Sequence, residues 1–208
     1  MSLLLALKEV GYRIGDVQVL QYDSARVDIF QPGYASKLYF LGQSSGKRWL
    51  PNLFCGMSNI NHDTITCYLL QRPLLVLVDW KTDTTFEEIG FIFPVFFQPL
   101  LSIRAAERQC FGAYGFFRQY WGKPEAEVAG MLGLAYMFQE WGLKAIHGVS
   151  YDTNSLTRRF LKGYGFKQTG HIPYYQVRDG VLVDGVVTTL LRTDFEQYVE
   201  SQLSAAIS

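Results

Sequence analysis

One ordered stretch, Trp121 to Phe166, constrains this chain more than any other. A Gly/Pro-bearing loop is followed by an amphipathic segment, a short β-rich run, a polar capping cluster and a second helical segment that stops at Gly165. In the loop Arg118–Ala126, the bend at Gly122 gives way at once to helical periodicity, with Val128, Leu132, Ala135 and Phe138 spaced as one apolar face. The helix is expected to start near Pro124, because proline's φ is already helical and its missing N–H would have had no partner there. Free amide hydrogens at such a terminus, with the positive end of the helix dipole, form an anion site. Gly122 lets backbone approach a ligand closely, and Lys123 adds a mobile positive charge. An ordinary strand-to-helix turn would carry the same signals.

Trp141-Gly142-Leu143 ends this helix, and Lys144 to Tyr151 reads as a short strand. Thr153 or Asn154 then caps a helix whose Leu156, Phe160 and Tyr164 recur at i, i+4 and i+8, before Gly165 supplies a left-handed stop. Two helices therefore flank one strand.

These residues resemble the GNAT superfamily of acyl-CoA N-acyltransferases, and most closely its branch that acetylates ribosomal-protein N-termini. That branch has a Trp-Gly-x-Gly loop, a helix with Tyr-x-Phe near its end, Gly-Leu, a strand, Asn, and then Ser-x-x-x-Leu-x-x-x-Gly-Phe. The matching positions are Trp121, Gly122, Lys123 and Pro124, then Tyr136 and Phe138, Gly142 and Leu143, Asn154, Thr157, Leu161, and Gly165 with Phe166, without a gap. The best-matched segment is 109–191, and the likeness fades toward the N-terminus.

The resemblance implies one GNAT-like domain over 1–208, of α/β (α+β) class: a mixed, twisted, mostly antiparallel sheet with helices on both faces. It also implies an N-acetyltransferase that moves an acetyl or other short acyl group from acyl-CoA to an amine by direct attack in a ternary complex. Backbone groups of Phe116 and Arg118 would face the pantetheine arm. The loop Trp121, Gly122, Lys123, Pro124, Glu125 and Ala126, together with Arg158, would hold the phosphates, and Asn154 the pantetheine amide. An N–H near Phe116 or Phe117 would polarise the thioester carbonyl. The acceptor would be an amine-bearing small molecule or a protein N-terminus.

Acid and base are less clearly marked. Many members carry Tyr seven residues after the Asn, where this chain has Leu161. Thr157 stands where the closest branch has Ser; its hydroxyl is a poor acid and is equally suited to bonding the preceding helical turn. His147, on one strand face with Val149 and Tyr151, has the pKa for a base and is equally readable as a half-buried strand residue. Glu87, Glu88 and Glu107 lie near strands that could border the acceptor pocket. Two departures bear on the cofactor: Pro124 removes a loop N–H, and Glu125 and Glu127 place negative charge where a diphosphate would arrive, although both acids also suit the helix dipole. The alternatives are a GNAT-fold binding or assembly protein without catalysis, and a thiol hydrolase built on Cys110 and His147.

Composition narrows the class. Across 208 residues, 49% are hydrophobic and 18% charged, with formal net charge zero, so the reading is a globular protein without a broad polyanion-binding surface. No nucleic-acid partner is expected. Cys55, Cys67 and Cys110 are odd in number and lack Cys-x-x-Cys spacing, so free thiols are expected and no metal site. The Leu3–Leu7 run is too short for a signal-peptide core, and Ile89–Ile103 is broken by Pro94, Gln98 and Pro99, so a cytoplasmic protein without a membrane partner is expected.

Elsewhere, Val17–Tyr22 reads as a first strand, with Asp23 or Ser24 capping a helix toward Gln31. Tyr34–Leu41 reads as helix, Gln43–Gly46 as loop, and Asn59–Leu70 is open between helix and strand. Leu74–Val78 is a buried strand, Ile89–Phe97 its neighbour with Pro94 at a bulge or edge, and Gln109–Phe117 the strand entering the loop. Tyr174–Val177 and Val181–Leu191 form a hairpin about Asp179-Gly180, and Asp194–Leu203 a last helix. An exposed strand or the apolar Ile89–Leu101 region would suit a homodimer.

Overall fold

The structure is a computed structural model, and it describes residues 3–22, 74–95, 108–178 and 180–207. The expectations placed on Asp23–Leu70, on Phe96–Leu101 and on Glu107, Cys55 and Cys67 lie outside the described residues. Eight strands follow the order β1-β2-β3-β4-β5-β6-β8-β7. Every described pairing is antiparallel except β5–β6, which gives a mixed, mostly antiparallel sheet accompanied by helices. The chain gathers into two compact units, Gly11–Pro94 with Ala113–Leu134, and Met1–Val10 with Val95–Gly112 and Ala135–Ser208.

The first unit is built from β1 (Arg13–Ile14), β2 (Val17–Gln21), β3 (Leu75–Trp80), β4 (Phe86–Val95), the end of β5 (Gln109–Phe116) and the first turns of α1 (Pro124–Gln139). Leu74 to Val78 are wholly buried, as an unbroken apolar run requires of a strand covered on both faces. β3 pairs with β4 from Leu75↔Ile92 to Trp80↔Phe86, with one extra β4 residue, Ile89, at a bulge opposite Leu77/Val78. The β3–β4 bulge falls at Ile89, and β4 is interior in the strand order. Pro94 lies beyond Ile92, where pairing with β3 has ended, so no N–H is required of it on that side. Just past the bulge, a Cβ on Gly90 would stand 2.1 Å from the Gly115 carbonyl oxygen, so β4 and β5 touch backbone to backbone there. At Gly133 a Cβ would meet the side chains of Ile92 and Leu77, which places α1 directly on β3 and β4.

The second unit contains the start of β5, the end of α1, β6 (Ala145–Tyr151), α2 (Ser155–Gly163), β7 (Lys167–Arg178), β8 (Val181–Leu191), α3 (Arg192–Ile207) and an N-terminal helix, αN (Leu3–Glu9). The Leu3–Leu7 run is therefore helical; it buries Leu4 and Leu7, and αN packs against α3. β6 pairs along its whole length with β8, and β7 with β8 about a turn in which Gly180 has φ +82°. β7 begins at Lys167, earlier than its β-rich core suggested, because β8 offers a partner that far back. The hairpin register shifts twice, and Tyr174, at φ +53°, sits in the second irregularity. Phe138 and Phe195, with ring centroids 5.3 Å apart, lie in a core with Ile146, Leu190 and Val199.

α2 closes as its sequence demands. Phe166 N–H donates to Leu161 C=O and Gly165 N–H to Lys162 C=O, with Gly165 at φ +90°, which is the Schellman pattern. Its buried face differs from the expected one. Leu161 and Tyr164 are buried, whereas Leu156 is 69% exposed. Tyr164 keeps the expected row at its C-terminal end, while Leu161, one position after Phe160, turns inward toward Gly148 of β6 and Leu156 in the first turn is left outside.

Candidate functional site

The loop that leads into α1 lies in the first unit. Phe117 is buried against Phe91, and its N–H donates to Ile89 C=O at 2.9 Å, so the bulge of β4 holds the loop's first residue. A 3₁₀ turn, Arg118–Tyr120, follows, with Tyr120 N–H donating to Phe117 C=O and Trp121 N–H to Arg118 C=O. Trp121 is 54% exposed, and its indole Nε1–H reaches back 2.8 Å to Phe116 C=O. The Phe116 carbonyl thus already has a donor. Lys123 N–H bonds Tyr120 C=O and Ala126 N–H bonds Lys123 C=O.

The N–H groups of Arg118, Gly122 and Glu125 make no hydrogen bond among the described residues. Gly122 has φ +74°, and a Cβ built on it would find no atom within 4 Å. Apart from its two chain neighbours, no described residue crowds that position. That left-handed backbone is one that glycine adopts at no steric cost. Free donors at the N-terminus of α1 suit a diphosphate. Against this, Glu125 Oε2 is buried and without a partner, directly in the first helical turn.

Beneath the loop, Tyr120 is 3% exposed, and its hydroxyl donates to Glu87 Oε2 at 2.9 Å, with Asp79 Oδ2 at 3.5 Å. Lys81 Nζ bonds Asp79 and stands 3.7 Å from Glu87. Burial and the two carboxylates push the Tyr120 hydroxyl's pKa well up, so it stays a donor at neutral pH. Sequence reasoning considered Glu87 for the acceptor pocket and overlooked Tyr120. Its partners are distant in sequence, and no spacing rule links them.

The second unit positions Asn154, Thr157, Arg158 and His147. Asn154 Oδ1 accepts from Thr157 N–H at 3.2 Å, making it the α2 cap. Its side-chain NH₂ makes no hydrogen bond among the described residues, so capping leaves a donor for an amide carbonyl. The Thr157 hydroxyl likewise makes no such bond, so it does not bond back to the preceding turn. Arg158 is half-buried, with Nε buried and unpartnered. Leu161 is buried in the core, near the point where a Cβ on Gly148 would lie.

His147 bonds through both nitrogens: Nδ1 to Thr189 Oγ1 at 2.9 Å and Nε2 to Gln109 Oε1 at 3.0 Å. The Gln109 oxygen requires Nε2 to carry the proton, so Nδ1 accepts from Thr189. Burial lowers the His147 pKa and keeps the ring neutral. Its ring lies 5.3 Å from that of Phe111, its partner in the β5–β6 register. Cys110 is next to Phe111 on β5, so its side chain takes the opposite face. Burial also pushes its thiol pKa up to about 12. A Cys110–His147 nucleophile is thereby ruled out by geometry and by protonation state. Among the described residues, no group of three His, Cys, Asp or Glu could hold a metal, and no helix is long and apolar enough to cross a membrane.

No protein-family profile and no curated protein sequence matches the chain. Solved structures do. A spermidine N-acetyltransferase from Vibrio cholerae, in complex with CoA and spermine, superposes with TM-score 0.66 at 14% identity, covering 86% of this chain and 98% of its own. The ribosomal-protein-S5-alanine acetyltransferase from Vibrio fischeri gives TM-score 0.62 at 17% identity, over 88% of this chain and 97% of its own. The fold is that of the GNAT acetyltransferases. Within the GNAT fold, the loop at Trp121–Ala126 and the cap at Asn154 are the places where the sequence resemblance located the cofactor.

Proposed function

We propose that this chain is an acyl-CoA-dependent N-acetyltransferase acting on an amine acceptor, a small amine or a protein N-terminus. The observation that carries this reading is the bend at Gly122, with unbonded N–H groups on either side of Pro124 at the start of α1. The likeness to solved acetyltransferases, one of them holding CoA, supports it. When bound, acetyl-CoA supplies a thioester carbonyl, on which the amine nitrogen forms an amide as the C–S bond breaks.

The chain's own groups then have separable tasks. Gly122 and Glu125 N–H, with Arg118 and Lys123 as cations, hold and neutralise phosphate. Asn154 Nδ2 donates to a pantetheine carbonyl while Oδ1 keeps α2 capped. His147 is the base candidate on β6. To take a proton at Nδ1 it must first exchange the Thr189 hydroxyl for the acceptor amine, and its lowered pKa weakens it for that task. Thr157 carries an unbonded hydroxyl near the cap but is too weak an acid to protonate a thiolate, and Leu161 offers no proton, so the departing thiolate takes its proton from solvent.

Titration calorimetry with CoA tests the binding half, and release of free CoA thiol from acetyl-CoA in the presence of polyamines and of peptides with free N-termini tests the transfer half. Absence of CoA binding overturns the reading. Binding with silence across both acceptor classes favours a second reading, a GNAT-fold binding or assembly protein without catalysis, for which buried Leu161 in place of an acid and Pro124 in the loop are the supporting observations. We further propose a homodimer, to be checked by light scattering.

A further inference from the structure

We infer that Tyr120 is a positioning residue for the cofactor loop, and that its hydroxyl, tied to Glu87 and Asp79 on the β3–β4 hairpin, sets the orientation in which the Gly122 bend presents its N–H groups. The inference rests on the reading that this bend holds the CoA diphosphate. Between Phe117 and Lys123, Tyr120 makes the side-chain tie to the β3–β4 hairpin. Its ring is buried, and its hydroxyl reaches carboxylates on both strands of one hairpin, 2.9 Å to Glu87 and 3.5 Å to Asp79. A phenol has one proton to donate, so the shorter bond to Glu87 is the tether. Lys81, bonded to Asp79, offsets the charge that would otherwise repel across the pair.

The backbone of the same residue transmits the tether. Tyr120 N–H is tied to Phe117, and its carbonyl accepts from Lys123 N–H at 3.1 Å, so Gly122 is spanned by a turn whose near end is Tyr120. The φ of +74° at Gly122 lies inside that turn. Rotation of Tyr120 would reorient the Gly122 amide before it reached any ligand. The ring also seats the loop's cation, since Lys123 Nζ stands 5.3 Å from its centroid. A single side chain thus holds a backbone donor and a positive charge in register. An anion that meets preorganised donors binds more tightly than one that must order them.

The test is calorimetric CoA binding to the full chain carrying Tyr120→Phe, Glu87→Gln or Glu87→Ala, with the melting temperature of each ligand-free variant as folding control. Tyr120→Phe keeps the ring and loses the tether, and should weaken CoA about tenfold; Glu87→Ala should weaken it about threefold, and Glu87→Gln, which keeps an acceptor oxygen, less than about twofold. A purely structural role for Tyr120 would lower the melting temperature and leave Kd of the folded protein unchanged. That result overturns the inference while leaving CoA binding by the wild-type chain, and hence the functional reading, intact. Wild-type protein that fails to bind CoA overturns both. If Tyr120→Phe does not fold, exposed Glu87 carries the test, and a Glu87→Ala Kd equal to wild type overturns the inference.

Discussion

Gly122→Ala separates backbone strain from ligand access. At φ +74°, with no atom within 4 Å of the added Cβ, the substitution meets no steric wall inside the protein. The cost to folding is then the left-handed backbone alone, about 1–2 kcal/mol for a non-glycine residue. For a chain of 208 residues that lowers the melting temperature by about 2–8 °C, at roughly 2–4 °C per kcal/mol. Gly180 is a matched control, with φ +82° and equally open surroundings, in the β7–β8 turn. Gly180→Ala should lose the same stability. Only at Gly122 does the new methyl stand where a diphosphate would approach the backbone, so Gly122→Ala should weaken CoA about tenfold or more while Gly180→Ala leaves it unchanged. Scanning fluorimetry gives the two stability losses, and calorimetry with CoA gives the affinities. Equal CoA affinity in the two variants, with both folded, would refute the placement of the diphosphate at this bend.

Three further outcomes are expected. Gly90→Ala would set a Cβ 2.1 Å from the Gly115 carbonyl, a backbone clash no rotamer relieves, and should cost more than about 3 kcal/mol or prevent folding, as urea titration would show. Asn154→Ala should cost about 1 kcal/mol through the lost α2 cap and also weaken CoA, whereas Asn154→Asp should keep the cap and lose only the CoA contact, as paired urea and calorimetric titrations can read. His147, held below its ordinary 6.5 by burial, is neutral in the folded chain, so the unfolded chain takes up a proton first as pH falls. Its contribution is complete above pH 6.5 and is lost progressively below it; His147→Gln should flatten the fall in melting temperature between about pH 7 and 5, and an unchanged slope would contradict the assignment.

The parts of this protein legible without a structure are those whose causes are local. Pro124 starts α1, Asn154 caps α2, Gly165 ends it and Gly180 turns the last hairpin, because each depends on a backbone angle or a donor within a few residues. The GNAT fold was legible for the same reason, since its motif is a series of such local signals in order. The buried run at Leu74–Val78 was equally plain, because a strand covered on both faces shows no alternation.

Long-range causes were hidden. Whether Leu156 or Leu161 faced the sheet depended on a contact with β6, where Leu161 meets Gly148. The bulge at Ile89 and the backbone contact of β4 with β5 at Gly90 are facts about pairs of strands and not one. Tyr120 looked like one more aromatic in a chain where 15% of residues are aromatic, until folding set two carboxylates, from positions 33 and 41 residues earlier, beside its hydroxyl. By itself the sequence determined the strands and helices from Leu74 onward and their order, though not the helix at Leu3–Glu9 or the short strand β1, because capping, φ preference and periodicity act over a few bonds. Tertiary structure alone decided which polar groups meet, because a hydrogen bond extends only about 3 Å and the chain distance between its partners carries no trace of it.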